Sequence, residues 1–202
     1  MATGTSLWIQ AFGLLLALSG WGKVAYDYVT ARPRIRGRIF NVMRGQMKDP
    51  RNATRTLTSF VTYLYTVNTR RNSMHLLDFE LEIFFDGKWV RLDRVYGIHN
   101  VQNLGFNAPD GTEIKIENFS KNLIYRKNEP VDYGKPLHGW IVFAGDASLH
   151  TADIAEYRVS CIDAYRKKHV FVTAPKDFEN LYLLQDMAGI AIPDSAKSPS
   201  NP

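Results

Sequence analysis

The sequence LDFELEIFFDGKWVRL, residues 77–92, contains the clearest secondary-structure pattern in the chain. Apolar side chains at positions 77, 79, 81, 83 and 85 alternate with mostly polar ones, which is typical of a half-buried β-strand. Asp86-Gly87 follows directly, and this dipeptide readily adopts the positive φ angles of a type I′ turn. The stretch therefore predicts an antiparallel hairpin with Glu80 and Glu82 on its solvent face.

Period-two patterns bounded by turn residues recur through most of the chain after Pro33. About seven to nine short strands without alternating long helices predict a mainly β protein, an antiparallel two-sheet sandwich, with a closed barrel of the same strands as the alternative. A short helical turn at 120–125 and a terminal helix at 178–187 are also expected. Besides the hairpin, strands are predicted at residues 35–47, 57–68, 113–117, 138–144, 156–163 and 168–174.

Composition excludes several protein classes. The chain has 202 residues and is 45% hydrophobic, which is ample for a core and excludes a disordered or collagen-like protein. Its single cysteine, Cys161, excludes a disulfide scaffold and a cysteine-built zinc site. Because Cys161 shares the inward face of a predicted strand with Tyr157 and Val159, we expect it to be a buried core residue.

The basic residues are concentrated at the N-terminus. The net charge is +5, but residues 1–56 hold nine basic and two acidic side chains, whereas the remaining 146 residues hold 16 basic and 18 acidic ones. A nucleic-acid-binding domain usually carries a basic face on the fold itself. The near-neutral remainder therefore disfavours nucleic acid as a partner.

A hydrophobic segment precedes the basic cluster. Residues 2–22 contain no charged side chain, and residues 7–21 are mostly apolar. Fifteen helical residues span only ~22 Å of the roughly 30 Å hydrocarbon core, but the pattern continues to Val29, before Pro33. We predict one transmembrane helix over about residues 6–28, within an N-terminal segment 1–31. Its interfacial aromatic residues are Trp8, Trp21, Tyr26 and Tyr28.

Basic residues follow this segment and none precedes it, so the positive-inside rule predicts a signal anchor with the β domain in the cytoplasm. A cleaved secretory signal and a core or surface helix are the alternatives for the segment. If the orientation is reversed, the chain is an envelope-side or secreted binding domain.

The remaining boundaries follow from the same patterns. Residues 32–56 form a basic neck and first strand, residues 57–192 form the rest of the sandwich, and residues 193–202 form a disordered Ser/Pro-rich tail. Basic side chains beside the membrane attract anionic headgroups by about 1 kcal/mol each. The predicted membrane-surface residues are Lys23, Arg32, Arg34, Arg36 and Arg38.

Three stretches together suggest a family. They are Arg32-Pro33-Arg34-Ile35-Arg36-Gly37 after the hydrophobic segment, a Thr/Tyr-rich strand ending in Val67-Asn68, and GKPLHGWIVF at residues 134–143. In this order they resemble the immunoglobulin-like sandwich domains of small membrane-anchored bacterial proteins. The resemblance covers residues 35–174, and it implies a binding or accessory role without catalytic residues.

The sequence contains no catalytic or phosphate-binding motif. We therefore predict a non-catalytic module without cofactor or metal, which binds a protein partner or forms a homo-oligomer in a membrane complex. The edge strands and the loop 97–118 are its expected contact surfaces. The alternative is an enzyme or metal-binding domain that uses His99, His138 and His150.

Overall fold

A computed structural model gives the architecture. It describes residues 14, 19–28, 34–49, 51–96, 98, 101–107, 113–127 and 129–191. Within these ranges the protein is mainly β, with ten strands and very little helix. The strands are β1 (Ile35–Asp49), β2 (Asn52–Asn68), β3 (Leu76–Phe85), β4 (Lys88–Arg94), β5 (Asn103–Asn107), β6 (Glu113–Glu117), β7 (Pro136–Asp146), β8 (Glu156–Asp163), β9 (Lys168–Thr173) and β10 (Ile190–Ala191).

In the described residues from 34 to 191, helical structure is limited to single turns. They contain one short α-helix, α1 (Gln185–Ala188), and the rest is 3-10. The 3-10 segments are Phe119–Asn122, Ile124–Arg126, Ala147–His150, Pro175–Asp177 and Leu181–Leu184.

Seven strands form one antiparallel sheet in the order β1-β2-β7-β4-β3-β8-β9. The sheet curls, because β4 pairs with β3 over Lys88–Leu92 and then joins β7 through its last two residues. The edge strands β1 and β9 come close together as a result. Gly37 of β1 makes this approach sterically feasible, since a Cβ there would lie 2.7 Å from the Phe171 ring of β9.

A second sheet of three strands, β10-β6-β5, packs on the outer face of β1-β2-β7. Strands β2 and β7 are therefore buried on both faces. In β7, Ile141 and Phe143 point into the core shared with β3 and β8, whereas Trp140 and Val142 point toward β6 and the C-terminal segment. This three-layer arrangement explains the nearly continuous apolar run in β7.

The predicted hairpin is confirmed. Phe85 and Lys88 are paired, and Asp86 and Gly87 have φ angles of 51° and 72°, as a type I′ turn requires. One residue of the pattern was assigned to the wrong face: Leu77 is exposed, because a bulge between Leu76 and Asp78 shifts the register.

One other prediction is corrected, and another is confirmed and extended. The terminal helix at 178–187 is instead an irregular segment with a 3-10 turn followed by α1, because the Glu179 N–H donates to the Phe40 carbonyl and holds the chain beside β1. In the loop 97–118, the predicted strand at Glu113–Glu117 is confirmed as β6, and it pairs with β5, which was not predicted. Ile114 and Ile116 of β6 are buried.

Residues 19–28 are helical, and each of them is exposed. Among the residues that the structure describes, no helix is long and apolar enough to cross a membrane. Most of the predicted segment 1–31, and the tail 193–202, lie outside the described residues. The predicted boundary at residue 57 falls inside β2, which begins at Asn52.

Candidate functional site

The N-terminal helix exposes large apolar side chains. Trp21 is 75% exposed, Val24 60%, Tyr26 68% and Tyr28 62%, and Lys23 on the same helix is also exposed. The β domain buries none of these side chains. Trp8, the fourth predicted interfacial aromatic residue, lies outside the described residues.

Two of the predicted neck arginines, Arg36 and Arg38, lie on the first strand. Arg34 precedes β1, and Arg36 and Arg38 are exposed along it, while Arg32 lies outside the described residues. Arg38 differs from the others, because its guanidinium lies 2.6 Å from the Glu179 carboxylate and donates to the Asp177 carbonyl. Arg38 therefore holds the C-terminal segment against β1.

The structure places His138 and His150, two of the histidines named for a metal or enzyme site, far apart. His138 lies near the start of β7, and His150 ends the 3-10 turn after β7. The eight steps along β7 from His138 to Asp146 cover roughly 26 Å, so His138 and His150 lie too far apart to share a metal ion. His99 lies outside the described residues, among which no group of His, Cys, Asp or Glu is placed to hold a metal.

His138 instead belongs to a hydrogen-bonded chain that fixes the C-terminal segment. The Tyr63 hydroxyl donates to the Met187 carbonyl at 2.6 Å, so it accepts from His138 Nδ1, also at 2.6 Å. Burial raises the pKa of Tyr63 and, together with the nearby Lys127 ammonium, lowers the pKa of His138. The neutral pair suits a structural contact.

Cys161, Asp163 and His169 are neighbours on β8 and β9, and these residue types also occur in catalytic triads. Cys161 is fully buried, as predicted, and burial raises the pKa of its thiol, which disfavours the nucleophilic thiolate. The Asp163 carboxylate accepts from His169 Nε2 at 2.8 Å and from the N–H groups of Tyr165 and Lys167. The group stabilises the β8–β9 turn.

A groove of about 350 Å³ opens where β4 and β7 diverge. Asp93 and Arg94 pair with β7, but the preceding residues of β4 pair only with β3. Leu149 and Leu92 fill the base of the gap between β4 and β7. They can do so because residue 145 is a glycine: a Cβ there would lie 2.7 Å from Leu149 and 2.8 Å from Leu92. The groove thus has an apolar floor beside an open strand edge.

Charged side chains form the walls of this groove. Arg55 pairs with Asp146 at 2.8 Å, and Arg91 pairs with Glu80 at 2.7 Å. Arg94 is nine-tenths buried and pairs with Asp78 at 2.7 Å. Its guanidinium lies over the rings of Tyr96, Tyr125 and Phe79, at 4.8, 4.7 and 5.5 Å from their centroids.

This groove combines an apolar floor, arginines in fixed positions and the exposed ring of Tyr96, which is 67% exposed. Such features are enriched where proteins bind one another. Sequence reasoning missed the groove, because its lining comes from β2, β4, β7 and the turn after β7, and no local pattern connects them.

The sequence matches no protein-family model and no curated protein. The fold is similar to a crystal structure from Bacillus subtilis described as "a putative lipoprotein (ycdA)", with a TM-score of 0.42 and 11% sequence identity. The match covers 73% of this chain and 39% of that one. At this level of similarity, function has to be argued from the chain's own geometry.

Proposed function

We propose that the chain is a non-catalytic β-sandwich module, anchored in the membrane by a single N-terminal span, which binds a protein partner in a membrane complex. The observation that carries this proposal is the helix at residues 19–28, because it exposes large aromatic and aliphatic side chains close together, at Trp21, Val24, Tyr26 and Tyr28. Large apolar groups exposed together mark a surface for a membrane or a partner.

The order of residues along the chain supports a membrane, and not a protein partner, as the environment of the helix's exposed apolar side chains. The uncharged residues 2–22 include Trp21 and precede Tyr26 and Tyr28, and the exposed Arg34 and Arg36 follow the helix. Tryptophan and tyrosine favour the interface between lipid and water, and arginines on one side define the cytoplasmic side. We therefore propose that the β domain faces the cytoplasm.

The groove between β4 and β7 is the proposed partner site. Its open strand edge offers backbone N–H and C=O groups to an extended segment, and Arg51 and Asp93 on its rim are exposed. We further propose an immunoglobulin-like relationship for the two facing antiparallel layers, β1-β2-β7 and β4-β3-β8-β9. The function does not depend on that relationship.

Flotation of the full chain with lipid vesicles tests the anchor. We expect the chain to float with phosphatidylcholine vesicles, and a variant with Trp21→Asp and Val24→Asp to remain at the bottom of the gradient. A matched control, Val172→Asp and Leu183→Asp, changes exposed apolar residues of the β domain and should still float. Equal flotation of both variants contradicts the proposed anchor.

Site-specific photo-crosslinking tests the partner site. A photoreactive residue at Tyr96 in the groove should give a discrete crosslinked product in cells, whereas one at Leu183 should not. Leu183 is a suitable control because it is 73% exposed and lies on the C-terminal segment, away from the groove lining. Identical products from both positions contradict a specific role for the groove.

A further inference from the structure

Four segments that are far apart in sequence meet at the end of the domain where β1 begins. The Thr69 N–H donates to the Arg34 carbonyl, and the Gly134 N–H donates to the Asn68 carbonyl. The Ala164 N–H donates to the His75 carbonyl and connects the β8–β9 turn to the same end. We call this end, residues 34–36, 69–75, 131–135 and 164–168, the neck-proximal end.

The neck-proximal end is strongly basic. Its four segments carry eight basic side chains and one acidic side chain, Asp132. Lys168 is neutralised by Glu80 at 2.7 Å, and Asp132 accepts a hydrogen bond from Ser73. The exposed cations at this end are Arg34, Arg36, Arg71, Lys135, Arg166 and Lys167.

Exposed apolar and aromatic side chains lie among these cations. Tyr133 is 62% exposed and Tyr165 is 74% exposed, each within two residues of an exposed Lys or Arg. Leu77, displaced outward by the bulge at the start of β3, is 59% exposed. Cations interspersed with tyrosine suit an anionic lipid surface, where phosphates meet the edge of the hydrocarbon.

The opposite end of the domain is slightly acidic. Its segments 48–49, 51–55, 86–88 and 146–156 carry four basic and five acidic side chains. The Ala155 N–H bonds the Phe84 carbonyl, and Arg55 pairs with Asp146, so these segments also lie together. The basic excess of the domain is therefore concentrated at the neck-proximal end, although residues 57–202 as a whole hold 16 basic and 18 acidic side chains.

The N-terminal helix is tethered to the basic end. Helical structure is described to residue 28, and Arg34 follows six residues later. Six Cα–Cα steps of 3.8 Å reach at most about 23 Å. A helix anchored in the bilayer therefore keeps the neck-proximal end, and not the acidic end, beside the headgroups.

We infer that the neck-proximal end docks on the anionic lipid surface, with headgroup phosphates held by Arg34, Arg36, Arg71, Lys135, Arg166 and Lys167. This inference rests on the proposed membrane anchor and deepens it, since it assigns a second contact made by the folded domain. Docking fixes the orientation of the domain and directs the acidic end away from the bilayer.

Hydrogen exchange on the full chain in lipid nanodiscs tests this docking. Nanodiscs of phosphatidylcholine alone are compared with nanodiscs that also contain phosphatidylserine. We expect slower exchange at residues 69–75, 131–135 and 164–168 in the anionic discs, with no change at residues 86–88. The difference should disappear at high salt, which screens exposed charges.

Matched variants make the test specific. Arg71→Gln, Lys135→Gln and Lys167→Gln together should abolish the difference, because each charge removed weakens docking about fivefold. Lys48→Gln, Arg51→Gln and Lys88→Gln remove the same charge from the opposite end and should preserve it. All six residues are exposed, so both variants should fold.

The outcomes separate this inference from the anchor. If the chain fails to co-elute with phosphatidylcholine discs, the anchor is wrong, and the inference falls with it. If the chain co-elutes but exchange is equal in both lipids, the anchor stands and the docking is overturned. If a single-stranded oligonucleotide slows exchange at these segments and phosphatidylserine does not, the surface binds nucleic acid and the lipid inference is overturned.

Discussion

The helix at residues 19–28 and the core of the β domain place a tryptophan in opposite environments. Trp21 is 75% exposed on the helix, whereas Trp140 is fully buried in β7 and donates through its indole N–H to the Ala188 carbonyl. A soluble domain buries its large aromatic residues because their removal from water stabilises the fold. Among the residues that the structure describes, the β domain therefore leaves the apolar side chains of this helix exposed.

The largest expected difference is between the two tryptophans. Trp140→Ala should lower the free energy of unfolding of the β domain by about 3–5 kcal/mol, because it leaves a cavity between β7 and the C-terminal segment. Trp21→Ala should leave that free energy unchanged and reduce vesicle flotation. Denaturant unfolding of the full chain in detergent, followed by the circular dichroism of the sheet, measures the first effect. An equal loss of stability in both variants would show that the helix packs on the domain.

Glycines give the next contrast. At Gly139 of β7 a Cβ would lie 2.6 Å from the Asn122 carbonyl oxygen and 2.9 Å from the Ile124 nitrogen, and backbone cannot easily move aside. Gly139→Ala should therefore destabilise the domain by about 1–3 kcal/mol. Gly22→Ala, with nothing within 4 Å of the new Cβ, should keep domain stability and increase helix content. Unchanged unfolding of the Gly139 variant would refute the close approach.

A smaller effect concerns the buried hydroxyl of Tyr63. Tyr63→Phe removes the hydrogen bonds to Met187 and His138 and should cost about 1–2 kcal/mol of stability, with faster hydrogen exchange at residues 185–191. Tyr133→Phe, on an exposed ring, serves as the control and should have no effect on either quantity. Equal exchange rates in the two variants would mean that Tyr63 does not hold the C-terminal segment.

The smallest expected effect is a pH dependence at His138. Burial and Lys127 hold the pKa of His138 below the ordinary value of 6.5, so the unfolded chain binds the proton more readily than the folded chain. The contribution of His138 to the free energy of unfolding is therefore fully present above about pH 6.5, and it decreases as the pH is lowered below that value. His138→Gln should reduce this slope in thermal unfolding measured against pH, with His75→Gln, on an exposed histidine, as the control. An unchanged slope would contradict the assignment to His138.

Local sequence patterns predicted most of the strands, but they missed β5 and the irregular segment at residues 178–187. The hairpin at residues 77–92 follows from period-two alternation and Asp-Gly, and both are local properties. The strand at Asn103–Asn107 was missed because it is short and contains Gly105, which weakens a strand pattern. The segment 178–187 was predicted to be helical, but its tertiary contact with Phe40 prevails over its propensity.

The candidate surfaces were less accessible to sequence reasoning. The aromatic residues of the helix and the arginines at 34 and 36 were named as candidates because they lie close together in the chain; they are exposed, and their role at a membrane stays a prediction. The neck-proximal end was not, because Arg71, Lys135 and Lys167 come together only through the pairing of β1, β2, β3 and β8. Summing the charge over residues 57–202 concealed them, because acidic side chains elsewhere in that range offset them.

Membrane sidedness tests the central claim most directly. A C-terminal tag on the full chain, cell fractionation, and protease added to intact and then to permeabilised cells locate the β domain. We predict a tag that stays with membranes after a high-salt wash and is digested only once the inner membrane is permeabilised. A tag in the soluble fraction would contradict the anchor, and digestion with the inner membrane intact would place the domain on the envelope side.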